Sequence, residues 1–150
     1  MARYNKINGL IAHLFNGCLR GNLKLVKYLV EHGLDINKET NDDYTPLFNA
    51  CTKGYITIVN YLVEYRADIN KEINDGFTPI FFVCQTGQIT VVKYLIEVDV
   101  DIYKKTNYGT TMLKEACCSN NLNLIKFLIE LELDINKENN DGGTSLGIAC

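Results

Sequence analysis

The chain has 150 residues, 47% of them apolar, with 15 basic against 18 acidic side chains and a net charge of −3. That apolar content supports a packed core and excludes a disordered chain. The apolar runs are interrupted every few residues by Lys, Glu, Asp or Asn, well short of the ~20 residues of a membrane span, so no membrane insertion is expected. A net acidic chain whose one basic pair is Lys104-Lys105 lacks the basic stripe of a nucleic-acid binder, and that pair reads as a solvated turn.

From the N-terminus, MARYNKINGLIAHLF has a positive start and a short apolar piece but no small-residue cleavage site, so no secretory signal is read there. The piece belongs to the first copy of a repeat with a period of 33, whose full units run 8–40, 41–73, 74–106 and 107–139, with a partial fifth at 140–150. Each unit reads as two short helices and a turn. The first has Ala12-His13 where the next has Thr45-Pro46, and reads as an end cap. In the second, Thr45-Pro46 is a helix start, a hydroxyl N-cap followed by Pro at the first helical position. Leu47, Ala50 and Cys51 follow at helical spacing, Gly54 stops that helix, and Ile56, Val59, Leu62 and Val63 mark the stripe of a second one. Asp68-Ile69-Asn70 then leads to Asn74-Asp75-Gly76, a tight-turn signal. The third unit opens on Thr78-Pro79-Ile80, the fourth on the degenerate Thr111-Met112, and the fifth, NDGGTSLGIAC, stops inside its first helix. The expectation is a piece of a longer array, or a monomer with an open C-terminal repeat face available for weak association.

A unit this small cannot bury its own stripe, so neighbours must stack into a one-dimensional solenoid. The period, Thr45-Pro46-Leu47, Thr78-Pro79-Ile80, the glycine between helices and the closing Asp-Ile-Asn resemble ankyrin repeats over residues 8–150. The resemblance implies an all-α ankyrin-repeat solenoid across 1–150. Antiparallel helix-turn-helix units would be joined by hairpin-like loops projecting at a right angle, with an L-shaped cross-section and a concave face. The chain departs from the pattern in two places. The family's His after Thr-Pro-Leu, which bonds back to the Thr, is replaced by Phe15, Phe48, Phe81, Lys114 and Gly147, so aromatic packing is expected instead. Tyr28, Tyr61, Tyr94 and Phe127 are expected to pack along the second helices. The glycine ending the second helix survives only as Gly33, with Arg66, Asp99 and Glu132 in its place, whereas Gly21, Gly54 and Gly87 recur between the helices with Asn120 fourth.

Cys18, Cys51, Cys84, Cys117 and Cys150 share one repeat position. Stacked helices sit ~8–10 Å apart, whereas a disulfide needs Cα atoms within about 7 Å. The ladder therefore reads as small buried hydrophobes, with neither crosslinks nor the convergence a metal site needs. Cys118 stands apart as a surface thiol. Unoxidised cysteines favour a reducing compartment, and an intracellular, cytoplasmic setting is expected. His13 and His32 have no nucleophile beside them, and no phosphate loop, dinucleotide fingerprint or zinc motif occurs. Asp35, Asp68, Asp101 and Asp134 recur in phase, which points to repeated loop hydrogen bonds and away from a paired-carboxylate site. No catalytic residue, cofactor or metal ligand is assigned.

Binding is expected where the copies disagree. By the resemblance, contacts come from the loop tips, here Asp42, Tyr44, Asp75, Phe77, Tyr108 and Thr110. They come also from the first helices, here Thr52, Lys53, Gln85, Thr86, Cys118 and Ser119, with Leu19 and Arg20 in the first unit. Tyr44, Phe77 and Tyr108 are the foremost candidates as anchors, or else braces between loops. The function expected is a non-catalytic protein–protein interaction scaffold for an unidentified protein. The alternatives are a targeting module of a larger enzyme or effector, or a structural spacer.

Overall fold

The computed structural model describes residues 2–131, with side chains from residue 9 onward. Glu132, Asp134, Gly147, Cys150 and the partial fifth unit lie outside the described residues. Among the described residues there are eight helices and no strand, falling into two compact units that divide between Asp68 and Ile69.

The first unit holds α1 (Ala2–Arg20), α2 (Leu23–Glu31), α3 (Pro46–Lys53) and α4 (Ile56–Glu64). Within it α1 packs on α2 and α3, α3 on α4, and α2 on α4. The second unit holds α5 (Pro79–Gln85), α6 (Ile89–Glu97), α7 (Met112–Cys118) and α8 (Leu122–Glu130), with α5 packed on α6 and α7, and α7 on α8. One helix departs from the expected short pair. α1 is 19 residues long, because without Thr-Pro nothing in ARYNKINGLIAHLF stops the helix from running through the place where the other units turn.

The turns within each helix pair follow from left-handed residues. Gly21, Gly54 and Gly87 have φ of 74°, 71° and 71°, and Asn120 has 54°. After each glycine the chain closes back by a 6→1 bond, Asn22 N to Gly17 O, Tyr55 N to Ala50 O and Gln88 N to Val83 O, at 2.9, 3.1 and 3.1 Å. The second helices end the same way. Leu34 N, Ala67 N and Val100 N donate to Leu29 O, Leu62 O and Leu95 O, past Gly33, Arg66 and Asp99 at φ 85°, 68° and 64°. Arg66 and Asp99 therefore occupy the conformation that glycine takes in the first copy.

Each hairpin-like loop is closed by a backbone pair. Thr40 N donates to Tyr44 O (2.9 Å), Ile73 N to Phe77 O (3.0 Å) and Thr106 N to Thr110 O (3.1 Å). The left-handed residues at these tips are Asp43, Gly76 and Gly109. The aspartates before them serve local turns as expected, Asp35 Oδ1 accepting from Asn37 N and Asp101 Oδ1 from Tyr103 N. Asn37 and Asn70 then tie one copy to the next. Asn37 Oδ1 accepts from Asp68 N and its Nδ2 donates to Arg66 O in the first unit, while Asn70 Oδ1 accepts from Asp101 N in the second. Lys104 is not simply solvated, since its Nζ pairs with Glu72 at 2.6 Å.

Phe48 and Phe81 are fully buried, as are Leu47, Val59, Leu62, Ile80, Val92 and Leu95. Aromatic packing thus stands where the family has histidine. Phe15 is only half-buried and Tyr28 is exposed against His32, with rings 4.1 Å apart, so the aromatic positions do not behave alike in every copy. The predicted hydroxyl caps are absent at two starts. Thr45 and Thr78 occupy the N-cap positions in extended backbone but make no side-chain cap bond. The amides of Phe48 and Phe81 bond instead to the Thr45 and Thr78 carbonyls at 3.1 Å, leaving both hydroxyls buried without a partner. At Thr111 the hydroxyl does cap, accepting from Lys114 N at 3.3 Å.

Candidate interaction face

In the first unit, α3 carries one group of expected contact residues before its start and another at its end. Asp42 is exposed at the loop tip, and Lys53 is exposed at the last turn, about 12 Å along the axis from the helix start. Tyr44 is half-buried with its ring edge-on to Phe48 at 5.3 Å. Thr52 is half-buried, and its hydroxyl is spent on Phe48 O at 2.8 Å.

In the second unit, Phe77 packs on Phe81 and Phe82 at 5.5 and 5.8 Å. Tyr108 is 52% exposed, with its hydroxyl donating to Asp75 Oδ1 at 3.2 Å. The Asp75 carbonyl also accepts from Asn107 N at 2.9 Å. All three aromatics therefore have intramolecular partners and hold the loops, and Tyr108 keeps the most open surface of the three. Gln85 and Thr86 are exposed and Ser119 is half-buried. The Thr86 hydroxyl donates to Phe82 O and that of Ser119 to Ala116 O.

Thr110 is less open than the other loop-tip candidates. It is 7% exposed, since its amide donates to Thr106 Oγ1 at 3.1 Å and its carbonyl closes the loop. A short side chain in the position of Tyr44 and Phe77 sinks into the turn.

A groove of about 800 Å³ lies wholly within the first unit. Ile11, Ala12, Phe15 and Asn16 of α1 form one side, and Lys38, Glu39, Thr40 and Asn41 of the following loop form the other. Asn49 of α3 closes it, with its Nδ2 donating to Phe15 O at 3.4 Å. None of these residues was among the expected contacts. The signal was present in the sequence, because the position shared by Asn16, Asn49, Phe82 and Glu115 changes kind in every unit after the second. Glu115 is 8% exposed, and burial pushes its carboxyl above the usual range although Lys114 works against this.

The described thiols are held toward their protonated form. Cys18, Cys51, Cys84 and Cys117 are buried and unbonded, and Cys118 is exposed and unbonded. Burial pushes Cys18 up to about 12 and Cys51 and Cys84 higher still. Cys118 is also raised, by partial burial and then by Glu115. Among the described residues no three His, Cys, Asp or Glu side chains gather as a metal site would require, and no helix is long and apolar enough to cross a membrane.

The family model for ankyrin repeats, in its three-copy form, matches residues 5–73 and again 69–141. No curated protein matches the chain. Repeats of this kind are in general protein–protein interaction modules and typically non-catalytic. With the helix pairs, the loops and a match over most of its length, this chain belongs to the ankyrin-repeat family.

Proposed function

We propose that the chain is a non-catalytic scaffold that binds a partner protein on the face made by its loop tips and first helices. The observation that carries this reading is the first-unit groove, where side chains from α1, α3 and the loop converge on open space. Exposed Asp42 and Lys53 support the reading in the first unit, and exposed Asp75, Gln85, Thr86 and Tyr108 support it separately in the second. Tyr44 and Phe77 contribute mainly by holding their loops in place. Unpaired thiols accord with a reducing, intracellular compartment.

The test is affinity capture from a lysate with wild type, a Lys53→Glu/Asp42→Lys variant and a Gln85→Lys/Asp75→Lys variant, each checked for folding by circular dichroism. Loss of a captured protein in either variant supports the reading. Capture that is indifferent to both sets of changes rejects the face and leaves the spacer.

A further inference from the structure

We propose that the end of the first unit where α1 turns into α2 and α3 into α4 binds an acidic stretch of a partner protein, one of its carboxylates seated in a pocket between α1 and α2. This rests on the scaffold reading and names the chemistry of the partner. The pocket has a volume of about 350 Å³, at the small end of ligand sites, roughly 300–1,000 Å³, so it takes a side chain and not a segment. His13, Asn16, Gly17 and Arg20 of α1 line it, with Asn22 and Leu25 at the start of α2. Its ionisable groups are Arg20 and His13, and no carboxylate lines it. Neither of the two makes a hydrogen bond or ion pair among the described residues. The Arg20 guanidinium is a permanent cation whose paired N–H groups match the two oxygens of a carboxylate. Asn22 Oδ1 accepts from Leu25 N at 3.1 Å, which leaves its Nδ2 as a donor, and Asn16 adds a second amide.

The charges around the pocket are segregated along the helices. Between residues 9 and 30 the acidic and basic residues are Arg20, Lys24 and Lys27, and between 44 and 63 only Lys53. Arg20 and Lys53 each stand in the last turn of their helix. The Tyr55 ring lies 2.9 Å from where a Cβ on Gly21 would stand, so the two helix ends are neighbours. Lys24 is exposed in the first turn of α2, and Lys27 is turned onto the Tyr61 ring at 5.3 Å. The acidic residues of the unit fall at the other end, where Glu31 and Glu64 close α2 and α4 and the rest follow in the loops. Glu31 comes nine residues after Asn22, about 13 Å along the axis and beyond the ~8 Å screening length of physiological salt. Glu39 lines the neighbouring groove, which shares Asn16 with the pocket, and Lys38 lines that groove too. At the turn end an acidic segment meets Arg20, Lys24 and Lys53, and a basic one meets the same cations with no carboxylate to offset them. The loop end ranks the two oppositely. The cations stand singly on separate helices, which suits single charges spaced along a polypeptide over the doubled charge of one phosphate. At the phase of Arg20 and Lys53 the second unit has Thr86 and Ser119, so this pair of cations is confined to the first.

The test measures fluorescence anisotropy of a labelled peptide of alternating Glu and Ser on the whole protein. Peptides with Gln or Lys in place of Glu run beside it, with a Gln peptide carrying one phosphoserine. Arg20 and Lys53 are exposed, and circular dichroism confirms that each variant folds. The Glu peptide is expected to bind and to weaken as salt is raised, and the Gln and Lys peptides are expected not to bind. Arg20→Gln is expected to weaken the Glu peptide about threefold, and Arg20→Glu/Lys53→Glu about tenfold or more. Lys93→Glu/Lys126→Glu makes the same change of net charge in the second unit and is expected to leave affinity within about twofold. A Glu peptide that fails to bind, that binds no better than the Gln peptide, or that ignores Arg20→Glu/Lys53→Glu overturns this proposal. So does equal weakening by the second-unit variant, which reports bulk charge, or tighter binding of the phosphoserine peptide through Arg20, which assigns the pocket to phosphate. Each of these leaves the scaffold reading intact. That reading falls instead if proteins captured from a lysate are indifferent to the Lys53→Glu/Asp42→Lys and Gln85→Lys/Asp75→Lys variants.

Discussion

Thr45, Thr78 and Thr111 start in-phase helices and meet different fates. The first two hydroxyls are buried with no partner, and the third caps its helix. An unmade buried hydrogen bond costs about 1–3 kcal/mol. Thr45→Val and Thr78→Val, which keep the shape, are therefore expected to leave stability unchanged or raise it by about 1 kcal/mol. Thr111→Val is expected to lower it by about 1 kcal/mol. Urea unfolding of the three variants decides, and a loss at Thr45 as large as at Thr111 would contradict the orphaned hydroxyls.

Glu115 is a second case at this scale. Its carboxyl is raised above an unfolded value near 4.5, chiefly by burial. Between that value and the raised one the folded state holds more protons than the unfolded state, so stability falls as pH rises through the window. Glu115→Gln removes the penalty. It is expected to raise Tm at pH 7, with the gain shrinking toward zero by about pH 4. Thermal melts of both proteins across pH measure the difference, and a gain that does not depend on pH would refute it.

The helix pair depends on how its helices end. Arg66 and Asp99 sit at positive φ where the first copy has Gly33. A side chain there costs about 1–2 kcal/mol, less for Asp, which can hydrogen-bond locally. Glycine adds back about 0.5–1 kcal/mol of unfolded-state entropy. The net expectation is that Arg66→Gly raises stability by about 0.5–1 kcal/mol and Asp99→Gly by less. Differential scanning calorimetry ranks the two, and destabilisation by Arg66→Gly would show that its side chain contributes more than its strain costs. The links between copies are equally local. Asn37 satisfies Asp68 N and Arg66 O at once, so Asn37→Ala is expected to cost about 1–3 kcal/mol. Faster amide exchange at Asp68 is the specific readout.

Across the whole molecule, the described cysteines are unbonded and their thiols are held protonated by burial. In a Cys150→Ser background, Tm is expected to be the same with and without reductant. A thiol reagent is expected to label Cys118 well before Cys18, Cys51 or Cys84. Mass spectrometry of the labelled protein gives the order, and early labelling of Cys51 would contradict its burial. Much of this was legible beforehand. The period fixed where helices and turns fall, and the cysteine ladder reported burial, because a small apolar residue recurring in phase has one structural job. The exposure of the candidate contacts was legible only in part. That Asp42, Lys53, Gln85 and Tyr108 are exposed accords with the copies' disagreement, but the burial of Thr110 was not legible, since it depends on its own short side chain and not on its phase. The groove was missed because Asn16, Asn41 and Asn49 come from separate elements and become neighbours only once α1, α3 and the loop pack.

The sequence by itself determined the repeat, the family and the all-α architecture, because helix starts, stops and apolar stripes are properties of neighbours along the chain. The tertiary structure alone decided that α1 runs 19 residues without a turn, that two threonine hydroxyls go unpartnered and that amides gather around a groove. Each of these depends on what lies beside a residue in space, and a pattern that repeats along the chain does not carry that information.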